Sequence, residues 1–265
     1  MQIAFLVLLF VVGACFGSFL CCEARRLRLK EKKKPSLGRR SVCMSCHYQL
    51  KWYDNLPIIS WLALGGKCRK CHKKIGSAEI LSEISLAVSF LLLGLEFDLT
   101  NITFFSVAIF SLTLLFTMII GFLAIYDGLY GELPSFALAL SISVAIITLV
   151  VKCLDFCLET GFSWALIYQP ILAALLLGGV YLLLHLASKG RWVGDGDWLL
   201  GTAIAIMLAN FWLALIALFL ANFIACLIMY PAAKSRKNHQ IYFGPFLAVA
   251  FVITQSFANY FLSML

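Results

Sequence analysis

The sequence predicts an all-α polytopic membrane protein of about eight transmembrane helices, with a cytoplasmic four-cysteine loop resembling a zinc ribbon. Three observations point there. Hydrophobic residues make up 62% of the chain and charged ones 13%, with a mean hydropathy of +0.95; a soluble domain carries about 25% charged residues. Apolar runs of bilayer-spanning length recur from end to end. The basic residues are gathered rather than spread, with 15 of the 21 Lys and Arg inside residues 23–79.

The first run, residues 3–22, is long enough to cross a bilayer as a helix. It has no basic leader and no A-x-A-like site, so cleavage as a signal peptide is not expected. Its positive flank follows it, which predicts an outside N-terminus and a cytoplasmic segment 23–79. The net charge of +8 therefore implies contact with anionic lipid headgroups rather than nucleic acid. Further runs lie near 80–97, 102–125, 133–151, 164–187, 197–209, 211–230 and 243–264, giving a membrane-embedded core over 80–265. With eight alternating crossings, 20 of 21 basic residues fall inside: Lys189, Arg191, Lys234, Arg236 and Lys237 join the first loop, and only Lys152 lies outside. Asn210 is the one obvious break between the runs at 197–209 and 211–230, so two short helices and one bent element are both open there.

Ten cysteines do not predict a disulfide framework. Cys15, Cys21, Cys22 and Cys226 fall in or beside apolar runs, as small packing residues do. Cys43-Met44-Ser45-Cys46 and Cys68-Arg69-Lys70-Cys71 form two C-x2-C knuckles 21 residues apart. That spacing turns paired thiolates toward one tetrahedral ion, so Cys43, Cys46, Cys68 and Cys71 are candidate ligands of a structural Zn2+. His47 and His72 follow the knuckles and are expected beside the site rather than in it. Asp54, in an Asp-Asn-x-Pro turn, is expected to cap backbone.

Acids at a bilayer edge are expensive and point to function. Two stretches carry them: Asp127-Gly128-Leu129-Tyr130-Gly131-Glu132-Leu133-Pro134 and Gly194-Asp195-Gly196-Asp197. The predicted topology brings Asp127 and Asp197 to the same cytoplasmic edge, although they are 70 positions apart. Two carboxylates sharing a site can divide base and acid roles in peptide hydrolysis. Gly194 and Gly196 would let backbone approach closely, and Pro134 suits a helix start. Glu132 and Asp195 fit as polar residues near helix N-termini, Glu79 and Glu83 as interfacial or bundle partners, and His185 as structural.

These residues resemble the type IV prepilin peptidases, which belong with the GxGD intramembrane aspartyl proteases. The resemblance rests on Gly17-Ser18-Phe19-Leu20, the double knuckle with Trp52-Tyr53-Asp54-Asn55-Leu56-Pro57, Asp127 seven residues before Pro134, Gly194-Asp195-Gly196-Asp197 and Phe243-Gly244-Pro245. Met44, Ser135 and Leu199 depart from residues frequent in the family, and an Arg-Tyr-Pro element ahead of Glu83 is absent. The resemblance implies an inner-membrane enzyme that cuts the basic leader of prepilins or pseudopilins at the cytoplasmic face. It also implies, for many members, methylation of the new N-terminus by S-adenosylmethionine, although no glycine-rich nucleotide fingerprint is present. The alternative from composition is a transporter or channel, which would favour ionisable groups at the helix centres rather than at one edge. A metalloenzyme would need an open ligand position or an H-E-x-x-H element, and neither is visible.

Overall fold

The computed structural model describes residues 1–31, 41–43, 45–190, 193–235 and 242–264. The expected cytoplasmic cations Lys32, Lys33, Lys34, Arg39, Arg40, Arg191, Arg236 and Lys237, together with Met44, lie outside them, as does the side chain of Lys234. Helices α1 (Gln2–Glu31), α2 (Ile59–Ala63), α3 (Ser77–Leu95), α4 (Phe104–Tyr130), α5 (Ser135–Thr160), α6 (Ala165–Ser188), α7 (Asp197–Leu208), α8 (Phe211–Ser235), α9 (Gly244–Ser256) and α10 (Ala258–Ser263) follow one another, and no strand occurs among the described residues. Six of them, α1, α3, α4, α5, α6 and α8, are long and apolar enough to cross a membrane. Apolar side chains cover much of the outside, as in Leu175, Leu183 and Phe219 at 66%, 67% and 66% exposure. Such a surface belongs in lipid, and the chain is a multi-pass membrane protein.

The chain divides into two compact units, Met1–Gly94 and Leu95–Leu265. In the first, α1 and α3 pack at backbone distance. A Cβ on Gly13 would lie 2.6 Å from the Leu86 carbonyl, and one on Gly17 would collide with Ser82 and Glu83. Gly13 and Gly17 thus form a small-xxx-small seam of the kind that draws membrane helices together. Phe16 and Phe90 fill the space beside it, with ring centroids 6.3 Å apart. Arg25 and Glu79 pair at 2.7 Å where the two helices leave the apolar zone. Between the helices, residues 41–76 carry both knuckles and the short helix α2.

The second unit is built around α7. This helix packs against α5, α6, α8 and α9, and α4 closes on α5 and α9. Leu200, Ala203, Ile204, Ala205 and Met207 of α7 are all fully buried. Twelve residues rise only ~18 Å, short of a hydrocarbon core of ~30 Å. Neighbouring helices, rather than lipid, surround this one, so its length is set by packing. Gly178 and Gly201 permit the approach, the first against Thr202 and the second against Tyr181 and the Leu177 carbonyl. The break after α7 is a designed turn: Ala209 caps it in the left-handed region at φ 55°, and the Asn210 carboxamide oxygen accepts from Trp212 and Leu213 N–H at 2.9 and 3.3 Å. Asn210 is therefore the N-cap of α8, and the region holds two helices. Lys152, expected in an outer loop, lies inside α5 and donates to the Met207 carbonyl at 2.8 Å.

Candidate functional site: buried carboxylates and a four-thiol cluster

Asp127 ends α4. Its carbonyl accepts from Gly131 N–H at 2.7 Å, and Gly131 caps the helix at φ 70°. That left-handed turn suits glycine and fixes the last helical turn, with the Asp127 side chain 5% exposed. Its carboxylate accepts from the backbone N–H of Gly244 at 2.9 Å, at the N-terminus of α9. A Cβ on Gly244 would stand 2.8 Å from the same oxygen, so only glycine allows the contact. The positive end of α9 thus faces the acid.

Asp197 begins α7 and is also 5% exposed. Its carboxylate accepts from Gly194 N–H at 2.9 Å, while its own N–H donates to the Gly194 carbonyl at 3.3 Å. Gly196 completes this turn by lying against Leu133, where a Cβ would come within 2.7 Å. Gly128 lies near Pro245, and Gly131 touches Tyr242. Residues 127–134, 194–197 and 242–247 therefore converge at one end of the unit. Pro134 is the N-cap of α5 in extended backbone.

Three further groups border this end. His185 donates from Nδ1 to the Val193 carbonyl at 2.9 Å, and its Nε2 lies 2.9 Å from Asp195. The imidazole thereby pins the loop that carries Asp197. Asp195 itself points outward, with its side chain 94% exposed. Tyr181, fully buried, accepts from Asn222 at 3.2 Å and lies tilted against Phe243 with centroids 5.2 Å apart. The Gly244 N–H does not stand out in sequence, because it lies 117 positions along the chain from Asp127.

The first unit holds the second cluster. The sulfur atoms of Cys43, Cys46, Cys68 and Cys71 all lie within 4.8 Å of one another. Cys43 and Cys71 are 3.8 Å apart and Cys46 and Cys68 4.0 Å. These spacings are too long for disulfides. They suit a tetrahedral ion, since bonds of ~2.3 Å to sulfur set neighbouring sulfurs roughly 3.8 Å apart. The two knuckles repeat one fold. Cys43 and Cys68 carbonyls accept from His47 and His72 N–H, each at 2.9 Å, and the Cys43 and Cys68 N–H groups donate to Tyr48 and Lys73 carbonyls, each at 2.9 Å. His47 and His72 occupy the left-handed position of the turn, at φ 54° and 55°, and are exposed. They shape the knuckles and stand outside the sulfur cluster.

Asp54, between the knuckles, accepts from Lys51 N–H at 3.2 Å and from Arg69 at 2.8 Å. This carboxylate holds the Arg69 guanidinium proton still more tightly than usual. Asp54 therefore caps backbone, as its turn sequence suggests, and also ties the intervening segment to the second knuckle. Glu83 accepts from Ile58 N–H at 2.7 Å. Ile58 sits at φ 63°, and the buried acid holds that turn in place.

Residues 11–97 match the model of the bacterial Peptidase A24 N-terminal domain. Among similar proteins, a prepilin leader peptidase/N-methyltransferase of Vibrio cholerae is 34% identical over 38% of this chain and 48% of its own length. One of Myxococcus xanthus is 41% identical over 32% of this chain and 25% of its own. One of Dichelobacter nodosus is 28% identical over 79% of this chain and 68% of its own. The chain thus covers less than half the length of the first two relatives. No solved structure matches.

Proposed function

We propose that the chain is a member of the type IV prepilin peptidase family, a reading that its residues 11–97 and its similar proteins support, and that it is an aspartyl endopeptidase of the inner membrane. It removes the basic leader from prepilins or pseudopilins at the cytoplasmic face, and it methylates the N-terminus so created. What supports the peptidase reading is that Asp127 and Asp197 are both buried, each held by a single glycine N–H, on segments that pack together where Gly196 lies against Leu133.

Two carboxylates that share one site hold one proton between them. The ionised one takes a proton from water as the oxygen attacks the scissile carbonyl. The protonated one donates to the carbonyl oxygen, and the C–N bond breaks as the departing amine gains a proton. The pair ends as it began, with one proton. Gly194 keeps the backbone close to Asp197, Gly244 keeps it close to Asp127, and Gly196 lets it lie against Leu133. The core after residue 80 performs this chemistry, and the loop 23–79 supports the first unit. Cys43, Cys46, Cys68 and Cys71 would hold Zn2+ with its coordination closed, as a structural ion. When bound, S-adenosylmethionine would supply a methyl group on a sulfonium.

Leader cleavage by purified Asp127→Asn and Asp197→Asn proteins tests the pair. Both should lose cleavage while remaining inserted and folded, and Asp195→Asn, altering an exposed side chain, should keep most of it. Wild-type turnover by either buried-acid variant would overturn the mechanism.

A further inference from the structure

The segment between α1 and α3 leaves several large apolar side chains uncovered. Trp52, Leu56, Ile59 and Leu62 are 77%, 39%, 66% and 64% exposed. On α2, Ile59 and Leu62 are three positions apart and share a face. Ser60, Trp61 and Leu64 turn the other way and line the interior of the unit. The short helix thus has one apolar side packed inward and another left open. The same segment exposes Lys51, Lys67, Lys70, Lys73 and Lys74. Its one acid, Asp54, is buried and tied to Arg69, so the charge it presents outward is positive.

The height of α2 is set by a single bond. Ile58, its N-cap, donates its N–H to the Glu83 carboxylate at 2.7 Å. The 19 residues of α3 rise ~28 Å, close to a hydrocarbon core of ~30 Å, so its first turns stand at the bilayer edge. Glu83 lies only ~9 Å along that helix, and a helical side chain leans back toward the N-terminus. The Arg25–Glu79 pair ties α1 to α3 near the same level. The open apolar face of α2 is therefore held where headgroups meet acyl chains.

We propose that residues 52–63 form an interfacial element that docks on anionic phospholipid beside α1 and α3. Leu56, Ile59 and Leu62 enter the top of the acyl layer, and Trp52 sits among the headgroups. The lysine ammoniums, on long apolar stems, reach lipid phosphates. Lipid fits this face better than a second copy of the chain, because two copies meeting here would set lysines against lysines. The inference goes beyond the proposed peptidase and does not depend on it; it requires only that α1 and α3 cross the membrane.

The full chain in nanodiscs of phosphatidylcholine, alone or in equal parts with phosphatidylglycerol, tests this. A phospholipid with a diazirine in its acyl chain close to the glycerol should, on illumination, label residues 52–63 as well as the outer faces of α1 and α3. Amide exchange over residues 51–64 should slow about fivefold or more when phosphatidylglycerol is present. The Ile59→Gln, Leu62→Gln double variant should lose label from 52–63 about tenfold, with the label on α1 and the melting temperature unchanged. Wild-type label confined to α1, α3 and residues beyond 94, exchange equal in the two lipids, or undiminished label in the double variant would overturn the docking surface.

Discussion

Asp54 and Glu83 in the first unit, and Asp127 and Asp197 in the second, are nearly equally buried, at 8%, 7%, 5% and 5% exposure. They are held in different ways. Asp54 has a guanidinium and a backbone N–H, and Glu83 takes the N–H of a strained turn. Asp127 and Asp197 have one glycine N–H each, and no ion-pair partner among the described residues. Burial alone therefore does not mark an acid as chemical. An acid whose charge is absorbed by nearby donors braces the fold, whereas a buried acid with few donors is the one whose chemistry is open to use.

Amide substitution across the four acids is the sharpest way to break this contrast. Asp127→Asn and Asp197→Asn should lower leader cleavage by about 10^2- to 10^4-fold with little change in melting temperature. Glu83→Ala should do the reverse, leaving Ile58 N–H unpaired at a cost of about 1–3 kcal/mol, read as a lower thermal midpoint with cleavage by the folded fraction retained. Equal effects on stability in both units would erase the distinction.

Removing metal comes next in size. Cys68→Ser, at a thiol only 3% exposed, or treatment with chelator, should release bound zinc and open residues 41–76 to proteolysis, because a closed thiolate site holds its loop together. A loop equally resistant with and without zinc would show that the hydrogen bonds of the knuckles suffice. A smaller loss, about 1–3 kcal/mol, is expected for Gly17→Leu, which forces α1 away from Ser82 and Glu83; thermal unfolding in detergent measures it. The smallest effect is a gain. His47→Gly and His72→Gly relieve left-handed backbone and should each raise stability by up to ~1 kcal/mol. Loss of zinc affinity in either would assign those imidazoles a part in the metal site beyond the turn.

Much of this architecture is legible in the chain because it is local. The helix bounds follow apolar runs, Asn210 marks the α7–α8 break, and each C-x2-C pair closes on itself within a few residues. The carboxylate site is legible only in part. Asp127 and Asp197 stand out as acids in apolar surroundings, but the partner of Asp127 is a backbone N–H 117 positions away. A peptide group carries no sequence signature, and only the glycine that makes room for it hints at the contact. The Gly13–Gly17 seam escapes a hydropathy reading for a related reason, since glycine there is apolar either way and its use depends on what lies across from it. Lys152 misled in the opposite sense: a lone cation at the end of an apolar run suggests a loop, yet its ammonium finds a helix carbonyl and stays within the bundle.

That lysine has a mechanical consequence. It grips Met207, one residue from the end of a stiff rod whose opposite tip is Asp197. The rod is therefore moored at its foot, and the height at which the carboxylate stands is governed from ~15 Å away. Shortening or neutralising the mooring would let the whole rod slide along its axis, shifting the Asp197 carboxylate without any change to the residues around it.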